Sequence, residues 1–254
     1  MLEVQGLNFA FKDFEVLKEI KLKVQKGQFV SILGNNGAGK STFLKCIARI
    51  LKPQSGIIMI DGKDISYYSS NDLAKVVGYV PQRYTSTRLT VFESILIGRK
   101  PHFAGITPSK EDLQMVESVI EKFGLKHLAF RYLDELSGGE MQKVVIARAV
   151  AQQPKILLLD EPINNLDLKN QIEVLSILKK LSRENEILVI SVLHDLNLAI
   201  KFSDYFVFIK DKCVFASGGR EIISPEIISN VYGIEVKIET SDNQLFVVPV
   251  IRMI

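Results

Sequence analysis

Gly34-Asn35-Asn36-Gly37-Ala38-Gly39-Lys40-Ser41 combines glycines, a lysine and a hydroxyl at a spacing suited to phosphate. Glycines let consecutive backbone N–H groups turn inward, and a helix starting at the loop adds positive potential, so together they cradle phosphate oxygens. Lys40 is placed to neutralise β and γ phosphates, Ser41 to offer a hydroxyl to Mg²⁺, and Thr42 to add a phosphate contact. A hard cation held there needs an oxygen ligand from a second side. Asp160, at the end of the apolar run 156–159, supplies one, and Glu161 directly after it has the chemistry to polarise an attacking water. His194-Asp195 follows a second apolar run, 187–192. A histidine at a strand carboxyl end lies where open α/β sheets bind ligands, which makes His194 a candidate γ-phosphate sensor. Ser137-Gly138-Gly139 precedes a helical stretch, 140–152, whose exposed amides and dipole offer a second anion site.

These residues require elements to hold them in place. Ile20, Leu22 and Val24 alternate with Lys21, Lys23 and Gln25, the pattern of a strand with one wet face, and this predicts an antiparallel sheet margin. Residues 29–33 read as a fully buried strand running into the glycine loop. Phe43, Leu44, Ile47, Ile50 and Leu51 then follow at helical spacing, closed by Pro53 and Gly56. The run 57–60 ends on Asp61-Gly62, a hairpin turn signal. After a strand at 76–80, Pro81-Gln82 opens a stretch of helices and polar loops, so a subdomain boundary is placed there. Ser109 to Asp112 resembles a helix start, with Leu113, Val116, Ile120 and Phe123 on one face and Gly124 as its stop. Strands return at 156–159, 187–192 and 206–209, with a helix carrying Ile172, Leu175, Leu178 and Leu181 between the first two. Strands alternating with helices predict a mainly parallel sheet. The tail from Gly218 onward reads as a short appendage.

Composition narrows the class without deciding it. At 254 residues and 47% hydrophobic content the chain is a compact globular protein, neither disordered nor fibrous. Cys46 and Cys213 are too few for a disulfide framework and lack metal-site spacing, and both read as buried thiols in a reducing compartment. The amino terminus has no signal-peptide pattern, and the longest apolar runs fall far short of the ~20 residues of a membrane-spanning helix. A cytoplasmic protein is therefore expected. The net charge of +3, spread along the chain, argues only weakly for nucleic acid. His102 and His127 read as surface or loop residues.

The order of these motifs resembles the ATP-binding cassette (ABC) ATPases over nearly the whole chain. The resemblance implies an α/β fold: a P-loop NTPase (RecA-like) core with an antiparallel β margin and an inserted α-helical subdomain. Core residues would be 1–82 and 137–217, the helical subdomain 83–136, and the appendage 218–254. By the same resemblance Gln82 touches Mg²⁺ and relays nucleotide state, and 136–140 is the signature loop. Asn164-Asn165-Leu166-Asp167 joins the two active sites, with Asp167 at the nucleotide, and His194 is the switch histidine. Phe11 occupies the place of the aromatic that stacks on adenine, although Phe9 or Phe14 could serve. Two departures stand out. Glu140 replaces the commoner glutamine and adds a repulsive carboxylate, and Ile163 stands where threonine or serine is frequent.

In such proteins ATP is sandwiched between the P-loop of one cassette and the signature of another, so a homodimer would complete both sites. Gly98-Arg-Lys-Pro-His102, His194-Asp-Leu-Asn-Leu-Ala199 and Val231-Tyr-Gly233, followed by a strand-like ending at Pro249, resemble ATPases of iron-siderophore, haem and cobalamin importers. This implies a peripheral protein at the cytoplasmic face of the membrane, bound to permease subunits through its helical subdomain. It would serve an extracytoplasmic substrate-binding protein indirectly, and no nucleic acid is expected. Molybdate, tungstate or divalent-metal uptake is the next reading. A soluble cassette acting on nucleic acid, or a nucleotide-binding regulator without turnover, stands further off.

Overall fold

The computed structural model of the chain describes residues 1–84, 88–164, 166–241 and 244–250. It opens with the strands Leu2–Phe11 (β1) and Phe14–Val24 (β2), the short buried strand Phe29–Leu33 (β3) and the helix Lys40–Ile47 (α1). A hairpin of Ser55–Ile60 (β4) and Lys63–Asp64 (β5) follows, turning on Asp61 and Gly62 at φ 51° and 78°. Two successive positive φ angles match the twist of a tight hairpin, which is why Asp-Gly marks it. β2, β1, β4 and β5 form an antiparallel sheet in that order. Along its second half β2 buries Ile20, Leu22 and Val24 and exposes the residues between them.

Next come the helix Ser70–Val76 (α2), the strand Val77–Val80 (β6), and the helices Val91–Ile97 (α3), Lys110–Lys122 (α4) and Gly138–Ala151 (α5). Strands and helices then alternate: Ile156–Asp160 (β7), Leu168–Glu184 (α6), Leu188–Val192 (β8), Leu196–Phe202 (α7), Tyr205–Lys210 (β9) and Cys213–Gly218 (β10). The helix Pro225–Tyr232 (α8) and a hairpin of Val236–Ser241 (β11) with Gln244–Pro249 (β12) are the last described elements. A six-stranded sheet runs in the order β10-β9-β3-β8-β7-β6, parallel except for β10.

β3, β7 and β8 are buried at every position, as expected of strands covered on both faces. Alternate residues go to opposite layers. Phe29 and Leu33 join a core with α3 to α7, whereas Val30 and Ile32 join one with α1 and the antiparallel sheet. Because β3, β8, β7 and β6 are parallel neighbours, their carboxyl ends line one edge, where residues 34, 194, 161 and 82 all fall.

Several local expectations are corrected. α1 ends at Ile47 rather than running through Ile50 and Leu51. Arg49 turns to φ 54°, and the N–H groups of Ile50 and Leu51 both reach back to the Lys45 carbonyl, at 2.9 and 3.1 Å. The Arg49 guanidinium holds this turn through the Ile65 and Tyr68 carbonyls at 2.9 and 2.6 Å. Leu113 and Ile172 lie at the exposed margins of their helices. On α4 it is the carboxylate Asp112 that faces inward, 2.9 Å from Arg99 Nε, and periodicity read from apolar residues alone cannot see such a pair. Cys46 is buried and burial pushes its thiol up to about 12, whereas Cys213 on the edge strand β10 is only half-buried. His102 is half-buried, with Nε2 2.8 Å from the Gln152 carbonyl; His127 is exposed. No helix among the described residues is long and apolar enough to cross a membrane.

Candidate functional site

The glycine loop leaves β3 at Gly34, where φ is 142° and any Cβ would overlap the Ile209 carbonyl of the neighbouring strand. Gly39, at φ 97°, caps α1 so close to β2 that a Cβ would stand 2.8 Å from Leu17 and 2.9 Å from the Val16 carbonyl. Glycine is the residue that meets both demands. Asn35, Asn36 and Gly37 are exposed along the crest and Ala38 is half-buried. Lys40 is 5% exposed and folds its ammonium back into the loop, donating to the Gly34 and Asn35 carbonyls at 2.8 Å each. Burial pushes its pKa below the ordinary lysine value, while the Glu161 and Asp160 carboxylates oppose that shift. The lysine is thus a nearly desolvated cation whose present partners are neutral carbonyls, and a phosphate would pair with it more strongly.

Behind the lysine, Ser41 Oγ donates to Asp160 Oδ1 at 2.6 Å, and the Tyr79 hydroxyl reaches Asp160 Oδ2 at 3.3 Å. Asp160 is 2% exposed at the end of β7. Next to it Glu161 takes φ 55°, a backbone region costly for a residue with a side chain, and so turns its carboxylate out of the strand. Its Oε2 accepts from Gln82 Nε2 at 2.5 Å and from Asn164 Nδ2, and its Oε1 lies 2.8 Å from His194 Nε2. Gln82, Asp160, Glu161 and His194 therefore stand beside the loop as one cluster. Asn164 is the member that sequence reasoning missed as a partner of Glu161. Thr42 is half-buried at the start of α1.

Ser137 and Asp167 lie elsewhere in the contact network. Ser137 caps α5: Glu140 N–H donates to Ser137 Oγ at 3.4 Å, and Glu140 Oε2 accepts from the Ser137 N–H and hydroxyl at 2.9 and 2.6 Å. These bonds hold the Glu140 carboxyl below the usual carboxylate range. The repulsive carboxylate expected at 140 is thus the reciprocal half of a helix cap. Gly138 and Gly139 form the first turn of α5 beyond this cap. Asp167 caps α6 by accepting from Asn170 N–H at 2.8 Å. Ile163 is 4% exposed within the core, which accounts for an apolar residue at that position. Asn165 lies outside the described residues.

Of the three aromatics, Phe9 is 5% exposed and packs edge-on against Phe11, with centroids 4.8 Å apart, so it has no face left for a base. Phe11 and Phe14, at the turn between β1 and β2, are 50% and 69% exposed.

Comparison with known proteins gives a consistent family picture. The sequence profile of the family described as ABC transporter matches residues 17–164. An uncharacterised ABC transporter ATP-binding protein, MJ0089 of Methanocaldococcus jannaschii, is 51% identical over 250 residues, covering 98% of each chain. The petrobactin import ATP-binding protein YclP of Bacillus subtilis is 36% identical over 246 residues, 96% of this chain and 97% of that protein. Among solved structures, an inward-facing ABC transporter assigned to the metal-chelate type superposes with a TM-score of 0.84 at 29% identity, over 98% of this chain and 96% of that one. The dimeric cassette MJ0796, in a post-hydrolysis state with ADP and Pi, superposes at 0.76 with 30% identity, over 86% of this chain and 98% of that one.

Proposed function

Because the chain belongs to the ABC transporter family, as an ATP-hydrolysing cassette of α/β P-loop fold, we propose that its chemistry is carried by the cluster at residues 34–42, 82, 160–161 and 194. The observation that carries this reading is the meeting of Ser41 with Asp160 and of Glu161 with His194 and Gln82 on one sheet edge. Lys40 and the loop amides hold the β and γ phosphates. Glu161 accepts a proton from water as the water oxygen bonds to the γ-phosphorus. The bond from that phosphorus to the bridging oxygen breaks, and ADP leaves with the bond's electrons. His194 fixes the Glu161 carboxylate and meets the γ-phosphate. Phe11, or Phe14 beside it, stacks on adenine.

The donor set at Ser41 and Asp160 fits a hard cation such as Mg²⁺, since both offer oxygen, and no hydrogen bond among the described residues engages the Gln82 amide oxygen while its Nε2 engages Glu161. Among the described residues no cluster of His, Cys, Asp or Glu makes a closed metal cage, so phosphate and water oxygens would complete the shell. When bound, the cation neutralises phosphate charge.

The second anion site, Ser137 to Gly139, bonds only within its own cap among the described hydrogen bonds and shares none with the glycine loop. We read it as half of a site completed by a second copy, with Asp167 near the shared boundary. The dimeric MJ0796 cassette supports this arrangement. Likeness to a petrobactin importer ATPase and to a metal-chelate type transporter supports coupling to uptake of a metal chelate. That role places the chain at the cytoplasmic face of the membrane, with residues 83–136 against permease subunits and a substrate-binding protein on the far side. Purification from membranes tests it: a polytopic permease should co-purify, and its reconstituted complex should hydrolyse ATP faster with a ferric siderophore and its binding protein. Stimulation by molybdate instead, or tight salt-dependent association with DNA or ribosomes, overturns the assignment.

A further inference from the structure

The C-terminal segment touches the phosphate loop at one place and the helix that follows His194 at another. Tyr232, the last residue of α8, accepts the Gly34 N–H on its hydroxyl at 3.1 Å, and the neighbouring Val231 carbonyl accepts from Asn35 Nδ2 at 2.9 Å. At the other end of the segment, Val247 on β12 exchanges two hydrogen bonds with Asn197. Its N–H donates to Asn197 Oδ1 at 2.8 Å and its carbonyl accepts from Nδ2 at 3.3 Å. Asn197 lies in the first turn of α7, whose cap, Asp195, directly follows His194. One appendage therefore grips both the mouth of the phosphate loop and the helix that begins beside His194.

The two grips act on different groups. Gly34 has its N–H held by Tyr232 and its carbonyl by Lys40; Asn35 has its side-chain amide held by Val231 and its carbonyl by Lys40. If Lys40 turned to a phosphate, those carbonyls would lose that partner while the bonds from α8 to Gly34 and Asn35 stayed available to the loop entry. The anchor itself is firm: Ile228 and Val231 of α8 are buried, Val236 and Val247 of the hairpin are 4% and 6% exposed, and Gly233 ends α8 at φ 72° just past Tyr232. Burial also pushes the Tyr232 phenol up to about 12, so it stays protonated and uncharged against the loop at neutral pH.

We propose that residues 219–241 and 244–250 form a strap that fixes the phosphate loop relative to the His194 segment, with Tyr232 and Asn197 as positioning residues for nucleotide binding and turnover. The inference rests on residues 34–42 being the phosphate site. Tyr232→Phe keeps the ring in place and removes only the hydroxyl, leaving the Gly34 N–H unpaired. Its ATP dissociation constant and KM should rise about tenfold, the cost of one part-buried hydrogen bond. Its kcat should stay within about twofold, because a loop positioned alike in ground and transition states affects KM and not kcat. Hydrogen exchange at the peptide containing Gly34 should quicken without nucleotide. Asn197→Ala should lower kcat about threefold or more at unchanged ATP affinity, since it frees the helix that follows His194. Both variants binding and hydrolysing ATP like the parent, with unchanged exchange at Gly34, overturns the strap. Lys40→Ala separates failure of the strap from failure of the phosphate site. If it loses ATP while Tyr232→Phe and Asn197→Ala both behave like the parent, the strap alone is wrong. If it binds ATP normally, the phosphate-site reading fails first.

Discussion

Glu161→Gln replaces one carboxylate oxygen with an NH₂ group at constant size. In the parent, Oε2 accepts from Gln82 and Asn164, and Oε1 faces His194 Nε2 at 2.8 Å. A glutamine amide meets the first two donors with its oxygen, which places its NH₂ opposite His194. The imidazole must then present Nε2 as an acceptor, so its proton moves to Nδ1. The number of hydrogen bonds is preserved, and folding stability should change by no more than about 1 kcal/mol. Turnover behaves otherwise, because an amide cannot take the proton of the attacking water. Loss of a general base costs about 10² to 10⁴ in rate, or roughly 3 to 5 kcal/mol of barrier at about 1.36 kcal/mol per decade. Phosphate release under single-turnover conditions measures the rate, equilibrium binding measures ATP affinity, and ¹⁵N shifts of His194 report its tautomer. A kcat within tenfold of the parent, or a loss of ATP affinity as large as the loss of rate, refutes the assignment of Glu161 as base.

Three further outcomes follow from contacts elsewhere. Asp112→Ala leaves the Arg99 guanidinium, whose side chain is 8% exposed, its neutral Ala151 and Gln153 acceptors but no counter-charge, and should cost about 3 to 5 kcal/mol in urea unfolding; a loss under about 1 kcal/mol contradicts the buried pair. Glu140→Ala removes the reciprocal cap of α5 and should cost about 1 kcal/mol at neutral pH. Since Ser137 lowers the Glu140 pKa, that contribution is complete above the ordinary glutamate value. It is lost as pH falls through the lowered one, so the stability gap between parent and variant should close on acidification, and a gap independent of pH contradicts the cap. Alkylation at neutral pH should reach half-buried Cys213 well before Cys46, whose thiol is pushed up to about 12 by burial; equal rates in the folded protein contradict that burial.

The strands that place the site were legible because they are buried on both faces. Residues 29–33, 156–160 and 188–192 are nearly unbroken apolar runs, and the chemistry-bearing residues sit at their carboxyl ends. What escaped was whatever depends on a partner distant in sequence. The inward Asp112 makes sense only with Arg99, the early stop of α1 only with the Ile65 and Tyr68 carbonyls, and Asn164 only with the turned-out Glu161. Sequence alone could not rank Phe9, Phe11 and Phe14 either, because their difference is exposure. Val231-Tyr232-Gly233 and Asn197 stood out as words without a mechanism until the fold brought both against residues of the appendage or the loop.

In the proposed dimer a working site takes its phosphate loop from one chain and its Ser137 to Gly139 turn from another. Mixing two inactive chains tests it most directly. Lys40→Ala disables the loop, and Gly138→Asp puts a carboxylate in the second anion site at a position where a side chain meets no neighbour within 4 Å. In a mixed dimer one site carries both lesions and the other carries neither. Each variant alone should be inert, and the mixture should regain ATP hydrolysis. A mixture no faster than the sum of its parts would contradict the shared site.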